Sequence, residues 1–134
     1  MLAAPRFHHL HLNSVDPDAA IDFYTAQFAA TSRTTWAFPA LEPDGMFRTP
    51  SGGVAFGDVW LPWYMRQGDQ PLVGSRGNLY DHFALGVTNL DGWVAKLRNE
   101  RVNFLEEPYN LGDTRAVMIA GPSHEAIELV EVPD

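Results

Sequence analysis

The sequence predicts an α+β fold of two βαβββ modules, each a curved half-barrel. Three observations carry the prediction. Apolar residues alternate with polar ones in several short runs, the mark of strands with two unlike faces. Two other runs carry apolar residues at helical spacing. Finally, the first strand–helix unit recurs: His82 follows His9, and Asn89 follows Asp16, by the same 73 residues. An internal repeat of this kind implies one supersecondary unit used twice.

The first module spans residues 1–67 and opens on a strand from Phe7 to Asn13, where Leu10 and Leu12 alternate with His9, His11 and Asn13. Asp16 followed by Pro17 starts a helix, because Asp caps the first free N–H groups and Pro fits the first helical position. Ala20, Ile21, Tyr24 and Phe28 are its apolar stripe. Strands follow at Ser32–Phe38, Gly53–Phe56 and Val59–Met65, the last two joined at Gly57-Asp58. Pro62 lacks the N–H of a ladder donor and therefore marks an edge or a bulge. The stretch Gly68–Gly77, with three Gly and one Pro, is the connector.

The second module, 78–134, repeats the order. His82–Val87 alternates as a strand, Asn89 caps a helix, and Trp93, Val94 and Leu97 are its stripe. Val102–Leu105 is a short strand. Ala116–Ala120 and Ala126–Val132 are β-rich and meet at the turn Gly121-Pro122-Ser123-His124. Pro39–Pro50 and Glu106–Thr114 are irregular loops, places where binding residues often sit.

Composition limits the function. The 134 residues suffice for one domain with its own core. No cysteine is present, so disulfides, thiolate metal sites and cysteine nucleophiles are excluded. Nine basic against seventeen acidic residues give a net charge of −8, which argues against nucleic acid as a partner. No apolar run reaches membrane-spanning length and the N-terminus lacks the pattern of a signal peptide, so the expectation is a soluble cytoplasmic protein with no membrane partner. Phosphate-binding and nucleophile-elbow motifs are absent.

The candidate chemistry lies in three residues. His9 and His82 occupy equivalent places on the polar faces of two strands. Glu128, between Ile127 and Leu129, points to the face of Ala126 and Val130, where an unpaired carboxylate is costly. Two imidazoles and one carboxylate suit a divalent first-row metal: Fe, Mn, Zn, Ni or Co. His11 shares the face of His9 and is a general base, a further ligand or a pocket-lining group. His8 faces the other way and belongs to the rim, and His124 lies in a turn. Tyr109 is a candidate for proton transfer or a packing residue under its loop. Arg115 binds a substrate carboxylate or is a solvated edge charge. Phe56, Trp60, Trp63 and Tyr64 form a core, an interface or an aromatic clamp.

The run Phe7-His8-His9-Leu10-His11-Leu12, then Asp16 and Ile21-Asp22-Phe23-Tyr24, resembles the opening of the vicinal oxygen chelate superfamily, which includes glyoxalase I, extradiol dioxygenases and bleomycin-binding proteins. Asp81-His82-Phe83-Ala84 and Ala126-Ile127-Glu128-Leu129 resemble its second-half strand and final ligand strand. The resemblance implies metal ligands at His9, His82 and Glu128. Its fourth ligand position, around Trp60, holds no donor in Val59-Trp60-Leu61. It also implies a metal-dependent enzyme of lyase, dioxygenase or isomerase type acting on a small oxygen-chelating substrate; in such an enzyme Glu128, with His11 and Tyr109 as proton-transfer candidates, is the catalytic set this reading offers. The alternative is a non-catalytic sequestering protein of the bleomycin-resistance type. Open sheet edges favour a homodimer, with the metal site formed within one chain or across two.

Overall fold

The structure, a computed structural model, describes residues 6–33, 52–66 and 70–133. The expected loop Pro39–Pro50 and most of the strand expected at Ser32–Phe38 lie outside these residues. The chain forms two compact units, Met1–Leu72 and Val73–Asp134. Among the described residues each holds one helix and a four-stranded mixed sheet, so the βαβββ order occurs twice.

The first unit contains β1 (Leu12–Ser14), α1 (Pro17–Phe28), β2 (Thr31–Arg33), β3 (Gly52–Phe56) and β4 (Val59–Met65), with sheet order β1-β4-β3-β2. Asp16 caps α1 as its sequence requires: its Oδ1 accepts from the Ala19 N–H at 3.0 Å. Ala20 and Tyr24 are wholly buried. Tyr24 packs against the equally buried Trp63 of β4, ring centroids 5.1 Å apart.

Two expectations are corrected here. The strand expected from Phe7 is regular only from Leu12, with a single earlier bridge between His9 and Trp60. Moreover, Pro62 stands in β4, an interior strand, not at an edge. One cause explains both. The Trp60 N–H donates to the His8 carbonyl at 3.0 Å, so the nitrogen of Pro62, two residues on, faces the same neighbour. That nitrogen carries no hydrogen, and the ladder to β1 breaks opposite it.

The second unit contains β5 (His82–Val87), α2 (Leu90–Asn99), β6 (Phe104–Leu111), β7 (Thr114–Ala120) and β8 (Ala126–Glu131), ordered β5-β8-β7-β6. The Asn89 side chain accepts from the Gly92 N–H at 3.1 Å and caps α2. The buried stripe of α2 is Leu90, Val94 and Leu97. Trp93, expected in it, is half-buried and lies under the Lys96 ammonium, 5.1 Å from its ring centroid. Val117, Ile119, Ile127 and Leu129 are fully buried on β7 and β8.

The largest correction concerns Glu106–Thr114. It is not an irregular loop but the outer part of a β6–β7 hairpin, turning at Gly112-Asp113. Register shifts on either side of Glu106 break the alternation that would have revealed it. Pro108 is tolerated because β6 is an edge strand. Among the described residues no helix is long and apolar enough to cross a membrane.

Candidate functional site

Glu128 lies in β8, between Ala84 of β5 and Met118 of β7. Its neighbours Ile127 and Leu129 are fully buried, and strand alternation turns Glu128 to the other face of the sheet. Only 7% of the residue is exposed. A carboxylate with so little water needs partners. The Tyr109 hydroxyl donates to Oε1, and Nε2 of His82 stands 3.6 Å from Oε2. Tyr109 is carried there by β6, in register with Ala116. Loss of water, and then the Glu128 carboxylate, push the Tyr109 hydroxyl well above its usual range, so it keeps its proton and serves as a donor.

His82 opens β5, and its ring is oriented from behind. Nδ1 lies 2.7 Å from Oδ1 of Asp81. The other Asp81 oxygen accepts from the Gly77 N–H at 2.6 Å, and the Arg76 Nε lies 3.1 Å from Oδ1. These contacts, the Gly77 bond foremost, hold the Asp81 carboxyl below the usual carboxylate range. Arg76 also reaches Glu106 of β6 through Nη1 at 2.6 Å. Ser75 Oγ donates to the Asp81 carbonyl at 2.5 Å and accepts from the Ala126 N–H at 2.8 Å, which ties this loop to the start of β8. The sequence reading gave no role to Ser75, Arg76 or Glu106, and quoted Asp81 only as part of a motif. An acid directly before the histidine was the available signal.

In the first unit, His9 and His11 adjoin, ring centroids 4.8 Å apart and perpendicular. His11 stacks on Tyr64 at 4.5 Å. Loss of water on that ring, and to a lesser degree the charge of His9, lower the His11 pKa below 6.5. His8, expected on the far face, instead has its Nδ1 2.8 Å from Nδ1 of His9, because the chain here is not a regular strand. Strand registers also place the counterpart of Glu128. Leu12 pairs with Trp63 as Leu85 pairs with Leu129, so the first-unit equivalent of Glu128 is Pro62, which offers no donor.

The structure thus brings together His82, Glu128 and Tyr109 in the second unit, and His9 with His11 in the first. Arg115 does not stand free: it pairs with Asp91 at 2.8 Å. Among the described residues, no three His, Asp or Glu side chains form a group able to hold a metal. The pair His82 and Glu128 nevertheless suits one. A nitrogen and a carboxylate oxygen at 3.6 Å are too far apart to share a hydrogen bond. Two ligand bonds of about 2.1 Å to one tetrahedral ion would span about 3.4 Å. An open cleft of about 430 Å³ lies at the opposite ends of β5 and β8, lined by residues including Asn89, Asp113 and Glu131, and holds none of these groups.

No protein of curated function matches the sequence. Solved structures share the fold at low identity. A superfamily member from Sphaerobacter thermophilus superposes with a TM-score of 0.71 at 15% identity, over 98% of this chain and 100% of that one. An oxidase gives 0.69 at 13%, over 98% and 96%. A lactoylglutathione lyase from Agrobacterium tumefaciens gives 0.65 at 16%, over 96% and 94%. The sequence profile of one family matches residues 6–129, nearly the whole chain. With the doubled βαβββ order, that match makes the chain a member of the Glyoxalase/Bleomycin resistance protein/Dioxygenase superfamily.

Proposed function

We propose that this protein is a metal-dependent enzyme acting on a small oxygen-chelating substrate, of the lyase, dioxygenase or isomerase type. The observation that carries the reading is the facing pair His82 Nε2 and Glu128 Oε2, built on adjacent strands and supported from behind by Asp81 and Tyr109. His82 and Glu128 are two of the proposed ligands, and His9 of the first unit is the third. A divalent ion would supply Lewis-acid polarisation of the substrate oxygens. Tyr109 holds one Glu128 oxygen in place by donating its hydroxyl hydrogen. His11, whose pKa is lowered by loss of water and then by His9, is the proposed base. The sheets end in edge strands that a second copy would cover, so the reading includes a homodimer.

A second reading, a non-catalytic binder of cationic aromatic compounds, draws on the net charge of −8 and the aromatic face of β4. Elemental analysis separates the two. Purified protein, chelated and reloaded with Mn, Fe, Co, Ni or Zn, is expected to hold near-stoichiometric metal. His82→Ala, Glu128→Ala and His9→Ala are expected to lose it. Absence of metal from the wild type under every loading would overturn the enzyme reading in favour of the binder.

A further inference from the structure

The residue directly before each repeat-related histidine contacts that histidine's Nδ1. Asp81 Oδ1 stands 2.7 Å from Nδ1 of His82, and Nδ1 of His8 stands 2.8 Å from Nδ1 of His9. The two partners differ in chemistry. A carboxylate ionised at neutral pH only accepts, so Nδ1 of His82 must carry the hydrogen. In neutral His82 the lone pair then sits on Nε2, the atom that faces Glu128. Between His8 and His9 either ring can donate, so that contact fixes neither tautomer.

Asp81 is itself held. Gly77 N–H binds one oxygen at 2.6 Å and Arg76 Nε approaches the other at 3.1 Å. Through Nη1, Arg76 also binds Glu106, on the strand that carries Tyr109 to Glu128. One guanidinium therefore connects the support of His82 to the strand that supports Glu128.

We propose that Asp81, anchored by Arg76, is a positioning residue that fixes His82 in the Nδ1–H form and keeps its Nε2 lone pair directed at Glu128. The metal consequence rests on the ligand role proposed above for His82. The tautomer does not.

The test uses the full chain, metal-free and labelled with ¹⁵N-histidine, at a pH raised until the His82 resonances show a neutral ring. Long-range ¹H–¹⁵N correlation is expected to show His82 with a protonated Nδ1 and a bare Nε2. In Asp81→Ala the ring should revert to the Nε2–H form that free histidine favours, and Arg76→Ala should give a mixture. Asp81→Glu should recover part of the Nδ1–H population. An Nε2–H His82 in the wild type would overturn the proposal with no variant needed. So would an unchanged tautomer in Asp81→Ala that retains the native backbone spectrum. Zinc titration separates this inference from the functional one. Where zinc binds, Asp81→Ala should weaken it about 10–100-fold. An Nδ1–H His82 in a wild type that binds none of Mn, Fe, Co, Ni or Zn would overturn the metal reading and leave the role of Asp81 standing.

Discussion

The two sheets share an architecture and differ at equivalent positions on one face. In the second, Glu128 pairs with Met118 of β7 and Ala84 of β5 and shares its face with Ala126 and Val130. In the first, the counterpart of Glu128 is Pro62 and the counterpart of Met118 is Gly53. A Cβ on Gly53 would meet the Leu61 carbonyl oxygen at 2.5 Å and the Trp60 ring at 2.9 Å. Tyr64, two residues beyond Pro62, is covered by His11. One copy of the repeat thus carries a carboxylate where the other carries Pro62, backed by Gly53 and flanked by Trp60 and Tyr64. A duplicated frame keeps its helix caps and sheet order while the surface it offers diverges, because inward and outward residues alternate and change independently.

The comparison can be broken most forcefully at Gly53. Gly53→Met, which imports the residue of the second sheet, should cost about 3 kcal/mol or more, because backbone atoms must move. Met118→Ala should cost about 2–3 kcal/mol by leaving a cavity. Urea unfolding of each variant is the measurement. A Gly53→Met protein as stable as wild type would show that the close approach at Trp60 is not built into the first sheet.

A smaller effect is expected at Tyr109. Tyr109→Phe removes the donor to Glu128 and should destabilise metal-free protein by about 1 kcal/mol, an amount reduced by the partial exposure of the tyrosine. An unchanged urea midpoint would mean that water replaces the hydroxyl at no cost.

The smallest effect concerns His11, whose pKa is lowered first by loss of water and then by His9. Folded protein therefore resists protonating this ring more than unfolded chain does. Its contribution to stability is present above pH 6.5 and is lost as the pH falls through the lowered value. An NMR titration of metal-free protein should place the midpoint below 6.5. His9→Gln should raise it only in part, and Tyr64→Ala should raise it further. A midpoint at or above 6.5 in the wild type would remove the reason for treating His11 as a neutral base.

The parts legible beforehand were those set by local rules. Asp16 and Asn89 cap their helices because a short polar side chain placed just before an amphipathic run can reach the first free N–H groups. Alternation turns Glu128 away from Ile127 and Leu129 without reference to any partner, and the β5–β8 register then sets His82 on the same face. The β6 strand was hidden for the opposite reason. Glu106, Glu107, Pro108 and Asn110 are polar or strand-averse, and bulges shift the alternation that would mark a strand. Pro62 was misplaced because its effect falls on one side only: its nitrogen faces β1, while Gly53 of β3 closes up on the other side.

By itself, then, the sequence determined the repeat, the two helix starts and the alternation within β5 and β8 that turns His82 and Glu128 away from their apolar neighbours. These depend on residues a few positions apart and on fixed periods of the backbone. The tertiary structure decided that Tyr109 binds Glu128, that Arg76 and Asp81 stand behind His82, and that Pro62 answers to Glu128. Those contacts depend on strand register, on bulges and on the path of the loop before β5. Such features join residues distant along the chain, and no local period encodes them.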